Sequence, residues 1–231
     1  MSADQFESDY QELLILLSKA KEERSTFTDS EKFLIDSTIY TIQQSIGAVF
    51  DLLVPPNSAR KHVGNRFEEL IAVIFDEIDV SNNKTVLNIP YGKEGEEKFY
   101  KCENDRILSP FNTVKSSSTS LDINEVVVSI KTTSKDRMGK IFIDKILLER
   151  FVGHPQKMIG IFLNDVQRKK SNNISYTLVS NLFMVYTKFL TQLDGIYYLD
   201  PPPRALEEPF NNHMKKFSEL ITKDIWKLLL L

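Results

Sequence analysis

Lys131 closes the run Glu125-Val126-Val127-Val128-Ser129-Ile130, which otherwise reads as a strand inside a core, and the cluster Thr132-Thr133-Ser134-Lys135-Asp136-Arg137 follows directly. A lysine delivered by a core strand suits one kind of chemistry well. Phosphodiester hydrolysis needs an in-line attack by water, a hard divalent cation held by carboxylates, and an ammonium that orients the water or offsets developing charge. Magnesium takes oxygen ligands, so the partners to look for are Asp and Glu. They are present in order: Glu68 and Glu69, then Asp105, then Lys131 with Ser129 on the same strand face, then Asp144. Residues two apart on a strand share a face, which pairs Ser129 with Lys131.

These residues need elements to carry them. Phe6, Tyr10, Leu13, Leu14, Leu17 and Ala20 recur at helical spacing. Thr28 with Glu31 forms a capping-box pattern that opens a second helix, ended by Pro55-Pro56. A third helix is predicted over 58–78, with Phe67, Leu70, Ile71, Ile74 and Phe75 as its core face. Strands are predicted at 85–92, within 98–109, at 125–131 and at 157–164, with a helix over 137–152 between the last two. The stretch 174–186 reads as a strand and the start of a further element, and 210–231 as a closing helix around Trp226. The expected fold is α/β (α+β): a central mixed β-sheet flanked by helices, with an N-terminal helical segment. One domain is predicted over 1–231, with N-terminal helices over 1–56, the core over 57–200 and a C-terminal helix over 201–231.

Bulk properties narrow the class. The 231 residues are 42% hydrophobic and carry a formal net charge of −3, so a nucleic-acid partner would have to be met by a local basic cleft rather than by overall charge. One cysteine, Cys102, excludes an internal disulfide and fits a reducing cytosolic compartment. Three histidines form no zinc pattern, the acidic opening MSADQFESDY does not read as a signal peptide, and no apolar run is long enough to span a bilayer.

The constellation resembles the PD-(D/E)XK nuclease fold and, more narrowly, type II restriction endonucleases. The usual pattern has Asp or Glu two residues before the lysine, and this chain has Ser129 there. One branch of the family shows that departure. It reads sites built on CC and GG pairs, moves the missing acid to the following helix, and carries an R-(D/E)-R triplet just after the lysine. Lys135-Asp136-Arg137 stands in the place of that triplet, with lysine for its first arginine, and Asp144 lies thirteen positions after Lys131. The resemblance covers roughly 64–165. It implies Asp105 and Asp144 as Mg²⁺ ligands, Lys131 and Glu69 as further members of the catalytic set, and Lys135, Asp136 and Arg137 as readers of G·C pairs. It also implies double-stranded DNA as substrate, a homodimer matched to a palindromic site, and a cytoplasmic enzyme of a bacterial or archaeal cell. Arg137 and Lys135 can donate to guanine, and Asp136 can accept from cytosine N4.

Asp122 competes with Asp105 for the strand acid. It stands only nine residues before Lys131, too few for a strand, a turn and a return. Each residue also has a purely structural reading. Lys131 can snorkel from a strand end, Asp136 can favour a helix first turn, Asp144 can pair with Lys140 at i−4, and Asp105 can cap a turn with Asn104. A structure-directed repair nuclease and a non-catalytic DNA-binding protein on the same scaffold are the alternative functions.

Overall fold

A computed structural model of the protein describes residues 2–21, 25–93, 96–134, 138–168, 174–176 and 179–229. Three helices open the chain: α1 (Ala3–Ala20), α2 (Asp29–Leu53) and α3 (Pro56–Glu77). The capping box at Thr28 is complete, since Thr28 Oγ1 accepts from the Glu31 amide at 3.2 Å and Glu31 Oε2 accepts from the Thr28 amide at 2.6 Å. Lys19 reaches Glu31 Oε1 at 2.6 Å and so ties α1 to the start of α2. Lys19 and the Thr28 amide together hold the Glu31 carboxyl down at about 2. Pro56 is the first residue of α3, where its missing amide costs nothing.

The strands are β1 (Ser81–Pro90), β2 (Phe99–Ser109), β3 (Val126–Thr133), β4 (Lys157–Asn164), β5 (Val166–Arg168), β6 (Ile174–Tyr176), β7 (Gly195–Asp200) and β8 (Met214–Lys216). Six form one sheet in the order β1-β2-β3-β4-β7-β8, while β5 and β6 make a separate ribbon. Pairing is antiparallel from β1 to β3 and parallel from β3 to β8. Helix α4 (Met138–Val152) makes the crossover from β3 to β4, and α5 (Asn181–Phe189) precedes β7. This is the mixed, helix-flanked sheet that the sequence predicts. No described helix is long and apolar enough to cross a membrane.

Two elements differ from the sequence expectation. Residues 195–200 form a strand inside the parallel half of the sheet, at a position that carried no strand assignment. The helix expected from residue 210 begins later: Phe210–Asn212 is a short 3-10 turn, and Met214–Lys216 pairs in parallel with β7. Without that short edge strand, one side of β7 would leave its amides unpaired. The helical segment that follows runs through α6 (Phe217–Glu219), a π-turn (Leu220–Asp224) and α7 (Ile225–Leu229).

Each face of the sheet is buried, which is why β3 and β4 read as apolar runs rather than alternating ones. On one face, Val126, Val128, Ile130, Ile159 and Ile161 pack with Phe67, Ile71 and Phe75 of α3 and with Trp226. On the other, Ile107, Val127, Met158 and Phe162 pack with Phe142 and Leu148 of α4 and Phe183 of α5.

Asp36 fastens α2 to the C-terminal helices. It accepts from the Ser218 amide at 2.8 Å and from the Ser218 hydroxyl at 2.7 Å, and it is buried. Burial pushes its carboxyl up to about 7, against the opposing pull of the Ser218 bonds and of Lys216. The folded protein therefore keeps a proton that the unfolded chain releases near its ordinary value, 3.8. Stability from this group is fully present below that value and is lost as pH rises from there to about 7. Asp36→Asn retains an acceptor for the amide without the titration. Urea midpoints measured from pH 4.5 to 7.5 should fall for the wild-type protein and change less for Asp36→Asn; parallel curves would disprove this account.

Candidate active site

The sheet forks at its middle. β2 and β3 pair only through Arg106–Val128, Ile107–Val127 and Leu108–Val126. Past that point β2 stays with β1, through Thr85–Pro90 and Phe99–Asn104, while β3 stays with β4 as far as Thr133–Asn164. The register of the β1–β2 pair slips at the fork. Asn83 faces Ile107 and Thr85 faces Asn104, so β2 places two residues, Asp105 and Arg106, opposite the single Lys84. Such a bulge bends the strand and re-aims its side chains. It accounts for Cys102 and Ile107 packing in the same core cluster, although plain alternation puts residues five apart on opposite faces.

Asp105 sits in this bulge and bridges the fork. Its Oδ2 accepts from the Ile130 amide at 2.8 Å, taking the place of a ladder partner that β2 no longer supplies. The same oxygen receives the Lys131 ammonium at 2.5 Å. Lys131 also reaches Glu68 Oε1 at 3.2 Å, and Glu68 Oε2 lies 3.6 Å from Lys84 Nζ. A core strand thus carries, two residues before its end, a lysine held between an acid from β2 and an acid from α3. The three groups are only partly exposed, with side-chain exposures of 26% for Lys131, 13% for Asp105 and 16% for Glu68.

A cleft of about 300 Å³ opens beside this trio. Its walls include Tyr100 and Glu103 from the β2 arm, Ser129 and Lys131 from β3, and Lys140 and Asp144 from α4. Ile141 and Phe142 anchor the first turns of α4 in the core, which sets Asp144 on the cleft side of the helix. Lys140 pairs with Asp144 at 2.6 Å, four residues apart on one helical face. Cys102 lines the cleft from beneath, and its thiol is pushed up by burial first and by the Asp144 charge second.

The predicted site residues therefore fall as follows. Asp105 and Lys131 are in direct contact, and Asp144 faces the same cleft, thirteen positions along the chain from Lys131. The competitor Asp122 lies in the turn before β3, at the opposite end of that strand, where it accepts from the Asn124 amide at 2.9 Å. Glu69 does not reach the cleft: its side chain is 53% exposed and pairs with Arg66. Its neighbour Glu68 is the α3 acid that meets Lys131. Glu68 shares a stripe with buried Ile71, Ala72 and Phe75, at i+3, i+4 and i+7, whereas Glu69 is turned off that stripe toward solvent. The core face of α3 was itself a signal for choosing Glu68. Lys135, Asp136 and Arg137 lie outside the described residues. Lys84 was not anticipated, since nothing in its local sequence marks a register slip. Among the described residues, no three Asp, Glu, His or Cys side chains converge on one point.

Two solved structures place this fold. It is similar to the type IIP restriction endonuclease Kpn2I, with a TM-score of 0.72 and 19% identity, covering 99% of this chain and 73% of that one. It is also similar to the restriction endonuclease PspGI, solved as a complex with substrate DNA, with a TM-score of 0.51 and 13% identity, covering 97% and 91%. No protein-family model and no curated protein matches the sequence. The fold of this chain is that of the restriction endonucleases.

Proposed function

We propose that the protein is a sequence-specific double-stranded DNA endonuclease of the type II restriction class, hydrolysing phosphodiesters with Mg²⁺ as a homodimer. The observation that carries this reading is the Asp105–Lys131 contact in the fork, with Asp144 facing the same cleft. The donor chemistry fits the cation, because both candidate ligands offer carboxylate oxygens and, among the described residues, no imidazole lines the cleft. Asp105 and Asp144 would hold Mg²⁺, which when bound supplies Lewis acidity and an acidified water.

The chain's own residues do the remainder. Lys131 orients the attacking water and offsets negative charge gathering at the phosphoryl oxygens. Asp105 fixes the lysine and, through the Ile130 amide, fixes the strand that carries it. Glu68 restrains the same ammonium from the α3 side. Ser129 leaves the position two residues before the lysine without an acid, which gives Asp144 its role. Lys135, Asp136 and Arg137 read G·C pairs in the major groove. Two identical subunits match the two strands of a palindrome, and the enzyme works in the cytoplasm of a bacterial or archaeal cell.

Incubation with a plasmid of known sequence and Mg²⁺ tests the whole reading. Discrete fragments support it and give the recognition site. A smear would assign the fold to a structure-directed nuclease, and an intact plasmid to a non-catalytic DNA binder. For the triplet, Arg137→Ala should cost about 1–3 kcal/mol of specific affinity and flatten the preference between sites. An equal loss on every duplex would make Arg137 a phosphate contact.

A further inference from the structure

Glu68 stands between two ammonium groups. One oxygen faces Lys131 at 3.2 Å and the other faces Lys84 at 3.6 Å. Among the described residues the Glu68 side chain makes no other ion pair or hydrogen bond. The bulge sets this arrangement, because Lys84 is the one β1 residue opposite the doubled Asp105 and Arg106. The same irregularity that aims Asp105 at Lys131 thus sets Lys84 within reach of Glu68.

A glutamate has three side-chain torsions, and one ion pair does not fix its carboxylate plane. Without Lys84, both Glu68 oxygens are available to a single ammonium. Lys131 would then be drawn toward α3 and away from Asp105. With Lys84 in place one oxygen is taken, and Lys131 stays shared between Glu68 and Asp105. The four charges also sum to zero, so Lys131 sits in a balanced cluster rather than in an excess of acid.

We propose that Lys84 is a positioning residue, which acts through Glu68 to hold Lys131 at the edge of the cleft. The proposal rests on the nuclease reading above. Its first test is single-turnover cleavage at saturating enzyme, together with duplex affinity measured separately by mobility shift. Lys84→Met should slow cleavage by about fivefold, the scale of a partly exposed ion pair, with affinity unchanged. Lys84→Arg should restore most of the rate. In a Glu68→Gln background, Lys84→Met should cost nothing further, because its route of action is already broken. Weakened affinity at an unchanged saturated rate would overturn the proposal by making Lys84 a phosphate contact, and so would an additive loss in the double variant.

A second readout needs neither DNA nor cleavage. Acetylation of Lys131 in the free protein, followed by peptide mass spectrometry, should be slower in Lys84→Met than in wild type, since both Glu68 oxygens then close on the ammonium. Equal labelling rates would overturn the positioning role. A wild-type protein that leaves plasmid intact would overturn the nuclease reading, with the labelling comparison still deciding the role of Lys84.

Discussion

Lys131→Ala should lower the single-turnover cleavage rate by about 10²–10³-fold, the scale for removing one preorganised donor at a developing charge. The duplex affinity should stay within a few-fold of wild type. The substitution removes one ammonium from a cleft edge and leaves the groups that grip the groove untouched. The fold should survive as well, because neither acid is stranded. Asp105 keeps the Ile130 amide at 2.8 Å, and Glu68 keeps Lys84 at 3.6 Å. Lys131→Arg is the sharper comparison. It preserves charge, yet a planar guanidinium engages Asp105 and Glu68 through fixed forks and does not present a compact point charge to a water. It should resemble Lys131→Ala in rate. A Lys131→Ala protein that cleaves at the wild-type rate would remove the lysine from the chemistry and leave it as a structural ion pair.

Asp144→Ala should be equally severe for a different reason, since it deletes one of two proposed metal ligands. It also releases Lys140, which Asp144 holds at 2.6 Å, so the cleft becomes more positive and DNA binding should not weaken. Loss of cleavage at undiminished affinity is the expected pattern. Ser129 supplies a stricter test. It faces the same cleft from β3, two positions before Lys131. Adding Ser129→Asp to Asp144→Ala puts an acid back on the strand, and part of the lost rate should return. If the double variant stays as inactive as Asp144→Ala alone, the two positions do not serve one metal, and the reason for an acid on α4 must be sought elsewhere. Mg²⁺ titrations of both variants would show whether the recovered rate follows a recovered ion requirement.

Much of this site is legible in the sequence because its parts are local. The apolar run to Ile130, the lysine after it and the helix carrying Asp144 lie within twenty residues, and a strand and a helix fix their directions. For Asp105, chain length disfavours the competitor, since a hairpin return needs more residues than separate Asp122 from Lys131, and the family resemblance implies its role as the strand acid. The choice between Glu68 and Glu69 turns on helix phase. One residue rotates a side chain by about a quarter turn, and the apolar face through Ile71 and Phe75, visible in the sequence, sets Glu68 rather than Glu69 along it. Lys84 was not legible, because a register slip belongs to the pairing of two strands and leaves no mark on either one. The two outer strands of the parallel half, β7 and β8, were hidden for a similar reason. Gly195–Asp200 pairs with residues more than thirty positions earlier, and Met214–Lys216 carries two lysines that disguise a short edge strand as part of a helix.

The doubled residue in β2 has a bearing on how this chain tolerates changes in length. The turn between β1 and β2 can gain or lose residues without disturbing either strand, because nothing beyond it must keep step. Positions 105 and 106 have no such freedom. Deleting either one restores even alternation and turns residues 99–104 over, moving Cys102 and Asn104 out of the interior and bringing Lys101 and Glu103 in. It also removes the bend that puts a carboxylate beside the Ile130 amide. Among homologous chains aligned on this one, gaps should therefore gather at the hairpin tip and be missing at the bulge. A shared odd spacing between inward-facing residues of this strand would mark the site even where the acids themselves had changed.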